Sequence, residues 1–333
     1  MKIFKPPIVE GFKRNTSYNF FNSNFNIDSK PKWFDELSIK YVNEINENYF
    51  NYLSPSLITN SIFYIKFNDD SINIKKIHLL MEFYEKTICK HLTIIIIGFI
   101  SLKKIKQIFK IIQNYNIHSV LMVCEYLPQY YTDEFGELVM NLSINKKLIV
   151  LNSPFEKNFE DTMFFTLKKK IGDFKKTFIE FNASITLFSE SQKHQTYFNR
   201  KLYIGPNGEI KNAPECDEIF GNINALESVE DLKKIISIPA FQKYWFVHKE
   251  ITDVCKDCEF RHMCVDNRLP YKRSKEEWYH KIECNYNPYI AKWEGEEGYR
   301  TLSECGLISN EHEFSIDHEK IAQINKELWE NED

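Results

Sequence analysis

The chain contains little glycine and little proline, only 10 and 11 among its 333 residues. This scarcity excludes collagen-like repeats, elastic repeats and long flexible linkers. An excess of charge of one sign is also missing, because 43 Lys and Arg residues oppose 47 Asp and Glu residues, for a formal net charge of −4. The sequence therefore lacks the global basic field that is typical of nucleic-acid-binding proteins, and we predict no nucleic-acid partner.

Long hydrophobic runs are missing as well. The longest apolar run, Thr93–Leu102, is half of the ~20 residues that a helix needs to cross a bilayer. The first residues, Met1–Arg14, are interrupted by Pro6, Pro7 and Glu10 and lack the apolar centre of a secretory signal. We therefore expect a cytoplasmic protein without a membrane partner.

What the chain does contain is enough apolar and aromatic residues for a large core, 43% and 15% of the sequence. Thr93–Ile100 is nearly continuous in apolar residues, as in a strand buried on both faces of a parallel sheet. Leu102–Tyr115 has the single apolar side of an amphipathic helix. Further strands are predicted at Ser61–Phe67, Ser119–Cys124, Lys147–Leu151, Lys176–Ile179 and Ser184–Phe188, and further helices at Ile74–Cys89, Thr132–Leu142 and Asp161–Lys170. This alternation predicts an α/β fold with a parallel sheet, open or partly closed.

The alternation ends near residue 190. Lys201–Lys211 reads as a hairpin around the turn residues Pro206, Asn207 and Gly208. A loop-rich segment that carries most of the cysteines follows, and the acidic tail Glu311–Asp333 has a helical pattern. We therefore divide the chain into an N-terminal segment (1–55), a βα-repeat region (56–190), a cysteine-containing domain (191–305) and an acidic C-terminal helix (306–333).

Six of the eight cysteines lie at or beyond Cys216. In a chain without a secretory signal, this pattern favours metal binding over disulfides. Cys255 and Cys258 are separated by two residues, Cys264 follows after five more, and Cys284 after nineteen. Four thiolates can satisfy either a tetrahedral zinc ion or a 4Fe–4S cube. The five-residue gap is unusual for a zinc ribbon, so a 4Fe–4S cluster is the first prediction and zinc is the alternative.

The residues around these cysteines match a known domain. Val254–Arg268, together with Glu283–Tyr289, resembles the SPASM domain, the auxiliary iron–sulfur extension of radical S-adenosylmethionine peptide maturases. The resemblance is closest to the grasp-with-SPASM peptide maturases. Lys201–Cys216 is similar to the hairpin that leads to the first cysteine of that domain, and Phe220–Ile223 is similar to the signature that follows it. Gly11–Asn15 resembles the N-terminal segment of the same family.

The resemblance implies a degenerate radical-SAM-like barrel, a partial TIM barrel, over 56–190, followed by a loop-rich SPASM-like domain over 191–305. It implies that one 4Fe–4S cluster is held by four ligands, which are Cys255, Cys258, Cys264 and Cys284. It also implies Cys216 as a possible additional ligand. The chain departs from the full SPASM pattern at Arg268, where another cysteine is expected, and in Tyr197–Tyr203, which contains no cysteine.

The CxxxCxxC motif of radical SAM enzymes is absent. Before Cys216 the chain has only Cys89 and Cys124, which are 35 positions apart. We therefore expect no SAM binding and no radical SAM chemistry, and we interpret both cysteines as buried apolar residues. The sequence also contains no P-loop, GxGxxG or GxSxG motif, so it identifies no catalytic residue and leaves open whether the protein is an enzyme.

The resemblance implies an accessory role in maturing a ribosomally synthesised peptide, with the precursor peptide and a partner ATP-grasp ligase as partners. The aromatic-rich segment 1–55, with helical spacing over Trp33–Tyr49, and the hairpin Lys201–Lys211 are candidate peptide-binding elements. Two alternatives remain: an iron–sulfur redox enzyme that acts on the precursor peptide, and a zinc-stabilised binding module.

Overall fold

A computed structural model describes residues 60–66, 74–87, 91–98, 101–115, 117, 119–128, 132, 134–135, 137, 146–154, 157–159, 164–168, 170, 179–181 and 184–329. The N-terminal segment 1–55, residue Cys89 and most of the predicted helix Thr132–Leu142 lie outside this range. The described residues form two compact units. The sheet unit comprises 60–170 and 198–243, and the cysteine unit comprises 179–197 and 244–329.

The helices are α1 (Ile74–Lys86), α2 (Leu102–Gln113), α3 (Ile185–Ser191), α4 (Val229–Ile236) and α5 (His318–Trp329). The strands are β1 (Asn60–Lys66), β2 (His91–Ile97), β3 (Ser119–Glu125), β4 (Lys146–Leu151), β5 (Lys157–Phe159), β6 (Phe164–Thr166), β7 (Ile179–Phe181), β8 (Lys201–Ile204), β9 (Glu209–Lys211), β10 (Gly221–Asn222), β11 (Cys264–Asp266), β12 (Pro270–Lys272), β13 (Trp278–His280), β14 (Tyr286–Asn287), β15 (Lys292–Trp293), β16 (Leu307–Ser309) and β17 (Phe314–Ile316).

The sheet unit is built on one nine-stranded sheet in the order β10-β9-β8-β1-β2-β3-β4-β6-β5. The strands from β8 to β6 in this order are parallel to one another, whereas β9, β10 and β5 run antiparallel to their neighbours. The predicted α/β fold with a parallel sheet is therefore confirmed. Within the described residues the two outer strands, β10 and β5, do not pair, so the sheet is open there.

The core of this unit follows from the hydrophobic pattern. In β2 the consecutive residues Ile94, Ile95 and Ile96 are all buried, as expected of a strand covered on both faces. Helix α2 buries one face, and Ser101 caps its N-terminus by accepting a hydrogen bond from the Lys104 N–H. Burial of each large aliphatic side chain contributes about 1.5–3 kcal/mol. The buried face of α2 comprises Leu102, Ile105, Ile108, Phe109, Ile111 and Ile112.

Two of the elements predicted in the βα-repeat region (56–190) are wrong. The predicted helix Asp161–Lys170 contains β6, which pairs in parallel with β4 and antiparallel with β5. Sheet pairing decides the conformation there, because it supplies backbone hydrogen bonds to a short aromatic and β-branched segment. The predicted strand Ser184–Phe188 is instead the start of α3, because the Ser184 hydroxyl accepts a hydrogen bond from the Leu187 N–H at 3.1 Å and caps the helix.

The hairpin prediction for Lys201–Lys211 is confirmed. Tyr203 pairs with Lys211, and Gly208 takes a positive φ of 86° in the turn. Because β8 is also parallel to β1, the hairpin belongs to the sheet unit. The two units thus do not follow the boundaries at 190 and 305, and the four-segment division remains a prediction.

The C-terminal segment combines a hairpin and a helix. Strands β16 and β17 pair antiparallel, so the helical pattern assigned to Glu311–Asp333 is wrong over its first residues. Helix α5 begins at His318. The Asp317 carboxylate caps its N-terminus by accepting a hydrogen bond from the Lys320 N–H at 2.9 Å. Across the described part of the chain, no helix combines the length and the apolar character that crossing a membrane requires.

Replacing Ser228 by alanine should destabilise the sheet unit by about 1 kcal/mol, because it removes the cap of α4. The Ser228 hydroxyl accepts a hydrogen bond from the Asp231 N–H, and the Asp231 carboxylate accepts one from the Ser228 N–H at 3.1 Å. The measurement is urea unfolding followed by circular dichroism. Ser228→Thr keeps the hydroxyl and should be nearly neutral, and an equal loss in both variants would contradict the role of the cap.

Candidate metal centre

The first two cysteines lie on one tight turn. Val254 adopts φ 64° and ψ −50°, a conformation that is strained for a β-branched residue. The Cys255 N–H donates to the Asp253 carbonyl at 2.6 Å, and the Cys258 N–H donates to the Cys255 carbonyl at 3.1 Å. Cys255 begins a short 3-10 helix, Cys255–Asp257, and Cys258 follows directly after it. The local backbone thus holds the C-x2-C pair in one defined arrangement.

Cys264 is the first residue of β11, which pairs antiparallel with β7. The Thr196 hydroxyl donates to the Cys264 carbonyl at 2.7 Å, and the Gln195 side-chain amide donates to the Asp266 carbonyl at 2.9 Å. The segment after α3 therefore fixes the strand on which the third cysteine lies. In β11 alternate residues share a face, so Cys264 and the buried Asp266 point to the same side.

The chain returns from Cys264 to Cys284 through the antiparallel hairpin of β12 and β13. Next to Cys284 the backbone is held by an aromatic cluster that also includes one residue, Phe260, from the C-x2-C-x5-C segment. The Tyr286 N–H donates to the Cys284 sulfur at 3.4 Å. The members of the aromatic cluster are Phe181, Phe260, Tyr286 and Trp293, with ring centroids 4.7–5.4 Å apart between successive rings.

None of these four cysteines forms a disulfide. Burial raises the pKa of Cys264 to about 12, and burial also raises the pKa values of Cys258 and Cys284. Negative charge on Cys255 raises the pKa of each of these three thiols further. Cys255 and Cys284 also line the same pocket. These charge interactions link the four thiols into one electrostatic group within the cysteine unit, although no three of their sulfur atoms lie within 4.8 Å of one another.

Two buried cations lie beside this group. Nζ of Lys249 and Nη2 of Arg268 each lie 3.9 Å from the Cys255 sulfur. Asp266 pairs with both: Lys249 donates to its Oδ2, and Arg268 makes a bidentate contact at 2.7 and 3.0 Å. The side chains of Lys249, Asp266 and Arg268 are 4%, 0% and 5% exposed. The three buried charges sum to one net positive charge next to a thiol.

These cations act on the other thiols as well. The positive charge of Lys249 opposes the effect of burial on the pKa of Cys264, and that of Arg268 opposes it for Cys284. A buried cation favours a thiolate, since it offsets part of the desolvation of the negative charge. The two cations therefore offset part of the effect of burial, which still leaves the pKa values of Cys264 and Cys284 raised.

A second possible ligand set consists of Cys255, Asp266 and His280, whose ligand atoms lie within 4.8 Å of one another. The Asp266 carboxylate is already paired with Lys249 and Arg268, and the pKa of buried His280 is lowered to about 3. A divalent cation placed there would lie against two buried cations, with the Cys255 thiolate as the only added negative charge. This set therefore does not fit a metal ion, whereas four thiolates supply the negative charge that the cations require.

The other cysteines have different surroundings. Cys216 lies in the sheet unit, where burial raises its pKa to about 12. Cys305 is fully buried in an apolar cluster of the cysteine unit, and its sulfur accepts a hydrogen bond from the Asn287 amide at 3.3 Å. Cys124 is buried in β3, as expected of an apolar thiol.

Sequence reasoning did not identify Lys249 or Asp266, and it noted Arg268 only as a missing cysteine. The period of two in β11 is a local signal that could have placed Asp266 beside Cys264. Lys249 has no such signal, since its partner lies 17 positions away.

Comparisons of the chain with protein-family models, with curated proteins and with solved structures give no match.

Proposed function

We propose that the cysteine unit binds a 4Fe–4S cluster through Cys255, Cys258, Cys264 and Cys284. The observation that carries this proposal is the electrostatic group of four thiols, none in a disulfide, beside two buried cations. Thiolates are the ligands of such clusters, and their combined negative charge matches the positive surroundings. Zinc, which four thiolates also satisfy, is the alternative metal.

We further propose that the loaded protein acts as a cytoplasmic accessory maturase of a ribosomally synthesised peptide. Ligation couples metal binding to folding, so a cluster can hold a loop-rich segment as a rigid binding surface. Such a surface would hold the precursor peptide, a partner ATP-grasp ligase, or both. In this proposal the sheet unit is the remnant of a radical-SAM-like partial barrel that no longer binds SAM.

Metal content tests the cluster directly. After anaerobic purification we expect iron and acid-labile sulfide in near-equal amounts and a brown protein. Each of the single variants Cys255→Ser, Cys258→Ser, Cys264→Ser and Cys284→Ser should lose most of the iron, because each removes one of four ligands. Cys305→Ser is the control, because the Cys305 sulfur lies in the apolar cluster and accepts a hydrogen bond from Asn287. This variant should keep its iron.

Two other results would change the assignment. A colourless protein that carries zinc would replace the cluster by a zinc-stabilised binding module. Retention of full iron in all four serine variants would contradict the ligand set. Cys216→Ser belongs in the same panel, because a partial loss of iron there would assign Cys216 to an additional site.

The maturation role is tested by binding. Loaded protein, immobilised under anaerobic conditions, should retain a precursor peptide or a partner ATP-grasp ligase, and the Cys258→Ser variant should retain less. Binding to neither partner would contradict the role while leaving the metal assignment intact. Turnover of the precursor with an added reductant would instead favour the redox-enzyme alternative.

A further inference from the structure

Burying the charged side chains around Cys255 costs free energy, so their presence points to a role beyond stability. Removing two cations and a carboxylate from water is unfavourable, and a hydrophobic replacement of similar volume is often as stable or more stable. Lys249, Asp266 and Arg268 nevertheless lie together with 5% or less of each side chain exposed. The excess positive charge faces the Cys255 sulfur, with both nitrogen atoms at 3.9 Å.

A 4Fe–4S core with four thiolates carries a net negative charge. Reduction by one electron makes that charge more negative by one unit. A buried cation interacts with the reduced state more favourably than with the oxidised state, because the interaction scales with charge. Cluster potentials are in general set by net charge, by hydrogen bonds to sulfur and by solvent exposure. Arg268 and Lys249 supply both a charge and N–H donors toward sulfur.

Building on the proposed cluster, we propose that Lys249 and Arg268, held in place by Asp266, are positioning residues that raise the reduction potential of the centre. Asp266 keeps both side chains next to Cys255: it binds the guanidinium through two oxygens and also accepts from the Lys249 ammonium. Arg268 is fixed further by donating to the Ile282 carbonyl at 2.9 Å. Arg268, at the position where the SPASM resemblance implies a further cysteine, thus tunes the proposed cluster.

The test is a redox titration of the anaerobically purified, full-length protein with dithionite as the one-electron donor, monitored by electron paramagnetic resonance. Arg268→Gln removes the charge and keeps an amide donor. We expect the equilibrium constant for reduction to fall about tenfold, which equals 59 mV for a one-electron couple. Arg268→Lys keeps the charge and should restore most of the potential.

Arg261→Gln is the matched control. Arg261 is equally buried, at 5% side-chain exposure, but it donates to the Cys258 carbonyl at 3.0 Å rather than to a sulfur, and Glu250 lies near its charge. Its replacement should leave the potential close to that of the native protein. An unchanged potential in Arg268→Gln, with iron and sulfide intact, would overturn the inference and leave the proposed function standing.

Lys249→Gln is a second charge deletion in case Arg268→Gln does not assemble a cluster, and it should lower the potential in the same direction. If it loads iron and its potential is unchanged, the inference is again overturned. Absence of iron and sulfide from the native protein would contradict the proposed cluster itself, and the inference would fall with it. Metal analysis of each sample therefore separates the two failures.

Discussion

Replacing Asp266 by asparagine is expected to lower the free energy of unfolding of the cysteine unit by about 3–5 kcal/mol, since it breaks a buried ion group by removing one partner. The asparagine side chain has nearly the same shape, so the effect isolates the charge. Lys249 and Arg268 would remain buried at 4% and 5% exposure without their shared carboxylate. Their attraction to that carboxylate now keeps the pKa of Asp266 well below its usual value, although burial alone would raise it.

Tryptophan fluorescence in a urea titration is a suitable measurement for this variant. The described tryptophans, Trp245, Trp278, Trp293 and Trp329, all lie in the cysteine unit, so their emission reports the unit that the substitution affects. Asp217→Asn removes an exposed carboxylate and should change the midpoint little. If Asp266→Asn and Asp217→Asn unfold at the same urea concentration, the buried charges do not stabilise the unit as described.

Removing the proposed metal is expected to loosen the cysteine unit while the sheet unit stays folded. The cysteine unit consists of short two-stranded sheets, the helices α3 and α5, and loops, whereas the sheet unit has nine paired strands. Ligation by thiolates supplies folding free energy, on the order of 10 kcal/mol or more in small zinc domains. Under reducing conditions a chelator should therefore speed amide hydrogen exchange in residues 255–289 by about a hundredfold or more, equivalent to about 2.7 kcal/mol.

The amides of β2 and β3 serve as the internal control for this experiment, because they lie in the buried centre of the sheet unit. Their exchange should be the same with and without chelator. The Cys264→Ser variant reaches the metal-free state without a chelator and should give the same exchange pattern. Unchanged protection of residues 255–289 in both samples would mean that the unit folds without a metal.

The parts of the fold that could be predicted are those with a long periodic signal. Seven or more residues of continuous apolar or amphipathic pattern identified β2 and α2 to within a few residues. The three-residue strand β6 carries no such signal, since its conformation depends on pairing with β4. The β-branched residues at the start of the seven-residue helix α3 favour a strand, and they are the reason for the wrong prediction. In the structure the serine cap outweighs this preference and the segment is helical.

The candidate site likewise has one part that the sequence predicts and one part that only the folded structure shows. Cysteine spacing is a local property, so the C-x2-C-x5-C segment could be identified from the sequence alone. The charges beside it are not local, because Lys249 meets Asp266 only after the chain has folded through 17 positions. A lysine at that position looks like any surface lysine in the sequence, and only its 4% exposure distinguishes it.

The hairpin of β12 and β13 has a consequence for recognising other chains of this kind. It closes the nineteen-residue gap between Cys264 and Cys284, the last two of the four proposed ligands, by strand pairing, and the residues at its tip, Ser274, Lys275 and Glu276, are exposed. Exposed tips accept insertions and deletions, because no buried backbone is disturbed. A sequence profile for this centre should therefore keep the first two gaps at two and five residues and allow the third to vary in length.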